Sequence, residues 1–448
     1  MHETYGPVVR INPYEIHVND PALYRQIYPF NGNIDKWGWF TRQFGIPEST
    51  FATVDHHLHR LRRSALNPLF SKQSIVKFEP RIAVKVTKMV QNICNASSGP
   101  VKLSAAYAAL ATDYSFDLDS ACIDNVDFAS MYHDAALAGS YAGNLAKHFP
   151  VIFPLIRKLP IWLARLLKSE VAFFVEFQNH IGELVARASS EVKSRPVDTK
   201  RTIFHHILRS DLPETEKSVE RLTQDGVVTV AAGIMTTAWA LSVTSFHILS
   251  QPNVLQKLKD ELDVINVAAG EAPCLAQIER LPYLTACIKE GLRLSHGVTA
   301  RLSRVRPDTD LVLSSGGQQW TVPAGTPVSM SSVLVHMNSD IFENPHSFNP
   351  ERWLAGKNLD QYLVAFSSGS RQCIGMNLAY AELYLGLAIF FRAYGTPQVH
   401  KGNEIGLVQL FETSDSDVEM IGDGNVPMIR PDSKGIRITV MPTSGIKM

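Results

Sequence analysis

Cysteine is scarce in this sequence and badly spaced for crosslinks or zinc. The five cysteines, at positions 94, 122, 274, 287 and 373, are odd in number and include no Cys-x-x-Cys pair. That arithmetic argues against a disulfide framework and a zinc site, and it suits a reducing compartment. An excess of either charge is missing as well. Lys and Arg total 43 and Asp and Glu total 43, so no net field favours nucleic acid or an acidic polymer. The default partner is a small molecule. Residues 1–7 contain no apolar run, so this segment reads as neither a signal peptide nor a membrane anchor. Repeats, low-complexity tracts and obvious linkers are also lacking, and one domain is expected over residues 1–448.

What is present is mostly helical in period. Leu281, Leu284, Ile288 and Leu292 step by three and four residues, the spacing of one helix face. The runs Val8–Ile11 and Glu15–Val18 flank Asn12 and Pro13 and predict a hairpin, with further strands at Leu311–Leu313, Thr326–Met330 and Ile436–Val440. The expected fold is mainly α, with a small β part assembled from N-terminal, central and C-terminal segments. Gly226–Ser250 carries no charged side chain and is long enough to span a membrane. Its threonines and serines (229, 236, 237, 242, 244, 245) and the lack of flanking basic residues favour a long helix through a globular core instead. Residues 149–167 mix apolar bulk, Trp162 and basic residues, a composition that can lie in a membrane interface or pack as an amphipathic helix pair. Lys193–Thr202, charged and proline-containing, reads as a surface loop.

The segment Phe366–Gly375 sets Cys373 in a glycine-hinged loop just before an apolar helix, with Arg371 two residues away. A lone cysteine in a Gly/Ser turn is ordinarily a buried structural residue. Here Gly369 and Gly375 allow tight turns and a close backbone approach to the sulfur, which suits a thiolate ligand to haem iron and points to oxygen activation. The positions of Phe366, Gly369, Arg371, Cys373 and Gly375, continued through Asn377, Leu378, Ala379 and Glu382, resemble the signature loop and proximal helix of the cytochrome P450 family. Three further motifs follow that family's order, so the resemblance covers essentially the whole chain.

Glu290 and Arg293 sit three apart on one helix, a pair worth only about 0.2–0.5 kcal/mol when solvated. The resemblance joins Arg352, which precedes Trp353, to that pair as a buried network holding the cysteine loop. Ala232, Gly233, Thr236 and Thr237 match the family's oxygen-activation motif; the small pair leaves room beside the helix, and a threonine hydroxyl can hold water. Met235 stands where many relatives carry an acid, so restoring one by Met235→Glu is expected to raise coupling. His59 and Arg63 share a face of a helix that resembles the one crossing the haem edge. With Arg371 and Arg304, they are implied to meet the haem propionates. Arg60 and Arg62 are left over for docking an acidic reductase. The implied substrate pocket draws on Ile234, Met235, Val298, Thr299 and the turn near Asp423.

The resemblance therefore implies haem b, electrons from NADPH through NADPH–cytochrome P450 reductase, and insertion of one oxygen atom into a lipophilic small molecule. Details of the chain look like the fungal secondary-metabolism branch and, within it, resemble trichodiene oxygenase-like enzymes, which implies a terpenoid substrate, with polyketide and alkaloid precursors as alternatives. A haem-thiolate isomerase or dehydratase, motivated by Met235, and a degenerate haem protein are the competing readings. Members of the family usually sit on the cytosolic face of the endoplasmic reticulum membrane through an N-terminal helix, which this chain is expected to lack.

Overall fold

The 32-residue helix Val219–Ser250 runs through the centre of the molecule. In the computed structural model, residues 1–96, 99–114, 122–125, 127–167, 169–194, 202–267 and 271–443 are described. The helix starts earlier than its uncharged stretch suggests. Ser218 caps it by accepting from the Arg221 amide at 3.3 Å, and it ends at Gln251, before Pro252 forbids the helical conformation at the preceding residue. Its hydroxyls turn back on their own helix: Thr229, Thr236, Ser242 and Thr244 each donate to the carbonyl four residues earlier at 2.6–2.8 Å. That internal satisfaction lets a half-polar run be buried. By length and composition the helix could cross a membrane, but it is packed mostly inside protein.

Among the helices packed against it are Leu103–Tyr114, Ser169–Ser194, Pro282–Ser295 and Met376–Ala393. Tyr107, Leu241, Phe246, Leu284, Leu387 and Phe390 meet in the main apolar core, and the Tyr107 hydroxyl finds Ser245 Oγ at 2.7 Å. Gly291 lies so close to Thr244 that any Cβ there would overlap its hydroxyl. This close approach fixes where the Glu290 helix crosses the long one.

The expected hairpin forms as Val8–Arg10 against Ile16–Val18, with Val9 opposite His17. It belongs to a five-stranded sheet ordered Val8–Arg10, Ile16–Val18, Val328–Ser329, Arg304–Val305, Asp35–Lys36. Only two residues of the expected Thr326–Met330 strand pair, whereas Leu311–Ser315 runs longer than expected and pairs with Gln318–Val322. A second sheet joins Val101–Lys102, Arg437–Pro442, Gly406–Leu410 and Tyr394–Gly395. Of the expected loop 193–202, Lys193 and Ser194 belong to the helix Ser169–Ser194, Thr202 precedes the helix Ile203–Leu208, and 195–201 lie outside the described residues.

Residues 149–167 form two short helices, Ile152–Arg157 and Ile161–Leu167. Phe153 is buried against Phe174, while Phe149, Leu155, Trp162 and Leu166 are 56%, 58%, 65% and 74% exposed. One aromatic anchor thus holds the pair on the body, and most of its large apolar side chains point outward.

Candidate functional site

The cysteine loop is fixed from several sides. Gly369 has φ +80°, and a Cβ there would strike the Tyr28 and Pro29 carbonyls, so glycine is required. The Ser370 amide donates to Pro29 O at 3.1 Å, and the Cys373 amide donates to Phe366 O at 2.9 Å. Asn377 donates from Nδ2 to Phe70 O at 2.8 Å, anchoring the helix that follows. The Cys373 side chain is accessible at the floor of this arrangement. Surrounding protein still raises its thiol above the usual value, opposed by the Gly375 backbone N–H and by Arg63.

The Glu290 network is buried and larger than the sequence indicates. Glu290 accepts from Arg293 at 3.0 and 2.8 Å and from Arg352 Nε at 3.0 Å, and all three side chains are buried. Two further donors were not foreseen: Trp353 Nε1 at 2.9 Å and the Asn349 amide at 2.9 Å. Both carboxylate oxygens are thereby saturated. Arg293 also donates to the carbonyls of His336, Pro345 and Ser347 at 2.6–3.1 Å. His336 carries the link onward. Burial and nearby cations push its pKa well below the ordinary histidine value, so the ring is neutral, and Nε2 accepts from the Val364 amide at 2.9 Å. Val364 lies two residues before Phe366. The network therefore reaches the cysteine loop through one histidine, and sequence spacing gave no sign of it.

A second cluster is cationic. Arg63 donates to Gln372 O at 2.7 Å and Asn67 Oδ1 at 3.2 Å. Arg371 donates to the carbonyls of Thr53 and Val54, each at 2.7 Å, and its buried Nε has no partner. Arg304 donates to Leu302 and Ser303 carbonyls at 3.2 Å and stacks over Tyr28. Lys36, absent from the sequence-based candidates, lies directly opposite Arg304 across the sheet, is buried, and donates to Phe51 O. Like charges facing each other across strands are destabilising. Burial first, then Arg304, Arg371 and Arg63, lower the Lys36 pKa well below normal. Burial, then Arg371, Lys36, Arg63 and His56, lower His59 to about 2; burial, then Arg304 and Arg63, opposed by Asp35 and Asp55, lower Arg371 to about 9. Among the described residues, none of Lys36, Arg63, Arg304 and Arg371 makes an ion pair with a carboxylate. The cluster has the form of an anion site.

On the long helix, Ala232, Gly233 and Thr236 share a face and are at least partly open, and a Cβ at Gly233 would meet nothing within 4 Å. Thr236 donates its hydroxyl proton to Ala232 O, leaving its lone pairs as acceptors. Thr237, one turn after Gly233, is buried. Ile234 is fully buried in the core on the far side and does not line the open space. Met235 is also buried, which reverses the expectation for Met235→Glu: a carboxylate there would be desolvated before it could relay a proton. Arg62 is a second correction. It is buried and pairs with Glu216 at 2.6 Å, so it is no part of a docking surface, whereas Arg60 is exposed. The Val298 carbonyl accepts from Ser332 Oγ at 2.7 Å, and buried Thr299 donates to Asp423 Oδ1 at 2.6 Å, so both brace the segment after the Glu290 helix.

Comparison with known proteins gives a consistent result. The cytochrome P450 family model matches residues 1–404. A cytochrome P450 monooxygenase of Cochliobolus heterostrophus is 44% identical over 98% of this chain and 86% of its own length. An N-acetyltryptophan 6-hydroxylase of Emericella nidulans is 38% identical over 97% of this chain and 85% of its own. A tryptophan 6-hydroxylase of Fusarium equiseti is 37% identical over 98% and 85%.

Proposed function

Belonging to the cytochrome P450 family, this chain is an oxygen-incorporating oxidoreductase, and we propose that it inserts one atom of O2 into a lipophilic secondary-metabolite precursor with electrons drawn from NADPH through a reductase. The observation that carries this reading is the pairing of an accessible Cys373 with four buried or half-buried cations that lack carboxylate partners. Cys373 would hold the iron, and Lys36, Arg63, Arg304 and Arg371 would hold the two propionates. When bound, haem supplies iron and dioxygen chemistry, and thiolate ligation favours O–O bond cleavage. Ala232 and Gly233 leave room beside the helix. Thr236, an acceptor at Oγ1, would orient a water that carries the proton. The terpenoid expectation rests on resemblance; two relatives named as 6-hydroxylases of tryptophan or N-acetyltryptophan support an aromatic amino-acid derivative beside it.

A carbon monoxide difference spectrum of the reduced protein tests the centre. The long-wavelength Soret band of thiolate ligation is expected, and a short-wavelength band would sink the reading. Thr236→Ala should lower product formed per NADPH by about tenfold or more and raise peroxide release, since proton assistance is commonly worth ~10²- to 10⁴-fold. Unchanged coupling would remove Thr236 from the proton path.

Residues 149–167 are proposed as a membrane contact, with Trp162 and Leu166 inserted at the interface. Substituting both by serine should weaken partition onto anionic liposomes by about tenfold or more, given ~1.5–3 kcal/mol per large apolar side chain buried. Equal flotation of variant and parent would place the contact elsewhere.

A further inference from the structure

A cavity of about 230 Å³ opens between Trp39, Asn144, Lys147, His148, Arg301 and Asp423. Ala300 also lines it, and Gly297, three residues earlier, is pressed against the carbonyl of Ala365, the neighbour of Phe366. Three residues span at most ~10 Å, so one short segment connects the cavity to the cysteine loop. Its lining is unusually charged for a site that faces a lipophilic substrate, since ligand pockets are mostly apolar with a few polar groups that fix orientation.

Those charges are unequally satisfied. Glu15, which also lines the cavity, is saturated: it accepts from Ser303 Oγ and Ser329 Oγ at 2.8 Å, Asn12 Nδ2 at 3.2 Å and Arg301 at 3.3 Å. Lys147 is the opposite case. Its side chain is 9% exposed and its ammonium lies 5.2 Å from the Trp39 ring and 5.8 Å from the Phe40 ring. Among the described residues its ammonium makes no hydrogen bond or ion pair. The ammonium faces the cavity, where water or a ligand's acceptor can reach it, and the aromatic pair adds only a weak cation–π attraction. Arg301 is half-exposed and keeps N–H groups beyond the one facing Glu15. Asp423 has one oxygen engaged, Oδ1 accepting from Thr299 Oγ1 at 2.6 Å and from the Asn425 amide at 2.8 Å. It does not pair with Lys147, although its charge raises the Lys147 pKa against the lowering caused by burial. The cavity thus offers the Lys147 ammonium, the free N–H groups of Arg301 and one unengaged Asp423 oxygen, with Glu15 already taken up by its own donors.

Resting on the monooxygenase reading above, we infer that this cavity anchors the carboxylate of an α-amino acid or its N-acyl derivative, with Lys147 and Arg301 taking the carboxylate and Asp423 the adjacent N–H. The side chain of such a ligand is then the part directed toward Cys373. A purely hydrocarbon substrate would offer the Lys147 ammonium no acceptor.

The test is a binding titration of the haem-loaded full chain with N-acetyltryptophan, tryptophan, N-acetyltryptophan methyl ester and 3-methylindole, read by equilibrium dialysis and by the Soret shift. The acid should bind at least about tenfold tighter than its ester, the equivalent of ~1.4 kcal/mol. Lys147→Met should erase that preference without weakening the ester, and Lys147→Arg should keep it. Asp423→Asn should weaken tryptophan more than the N-acetyl compound, because an ammonium loses more than an amide does. Haem content of each variant reports folding. Ester binding equal to acid binding in the parent protein, a preference that survives Lys147→Met, or no binding of either acid would overturn the inference. Dialysis does not depend on the iron ligand, so a missing thiolate band in the carbon monoxide spectrum would count against the monooxygenase reading alone.

Discussion

Cys373→Ser is expected to remove the long-wavelength carbon monoxide band and all NADPH-dependent oxygenation while leaving the apoprotein fold intact. The two halves of this expectation have separate grounds. Residue 373 is exposed, and serine differs from cysteine by one atom of similar reach. The loop around it is held by other groups: Gly369 against Tyr28 and Pro29, the 373 amide on Phe366 O, Arg63 on Gln372 O, and His336 on the Val364 amide. Serine preserves all of these, so the stability change should stay within about 1 kcal/mol, as for replacements that create neither a cavity nor an unpaired charge. A neutral hydroxyl cannot supply the electron density of a thiolate, so the chemistry is lost. Retained oxygenation, or collapse of the apoprotein in urea, would contradict the assignment.

Glu290→Ala should be the most destabilising single substitution in the chain. It strands two buried guanidinium groups, the Trp353 indole and the Asn349 amide in one step. Breaking a buried ion network by removing one partner typically costs roughly 3–5 kcal/mol. Because Arg293 and His336 connect that network to Val364, haem retention should fall together with the denaturation midpoint. Arg293→Lys is informative as a milder change, since an ammonium cannot reproduce the forked contact to both Glu290 oxygens. A Glu290→Ala protein losing less than about 1 kcal/mol would mean that the network is locally solvated after all.

The features legible in the sequence were those written in short spacings. Glu290 and Arg293 are one helical turn apart, Cys373 and its glycines share ten residues, and the period of the Glu290 helix is plain. The missed features depend on partners far along the chain. Lys36 acquires its role only because the strand at 35–36 pairs with Arg304, and His336 because its ring meets residue 364. Arg62 looked like surface charge in a basic run, yet Glu216 draws it into the interior. Ile234 was misplaced for a different reason: positions 232, 233 and 236 define one helix face, and 234 falls on the opposite side. Counting angular position around the helix, rather than nearness to the motif, would have corrected that reading.

The two sheets also dictate when the molecule can be completed during synthesis. Ile16–Val18 pairs with Val328–Ser329, and Val101–Lys102 with Arg437–Pro442. Each early strand therefore waits for more than 300 residues of chain before its neighbour exists. At ~5–20 residues per second, the strand at 16–18 keeps an open edge for roughly 15–60 s on the ribosome. Such distant pairings slow folding and leave edges able to bind other chains. Both early strands are consequently open to other chains while the molecule is being made, and yield in a heterologous host should respond to translation speed.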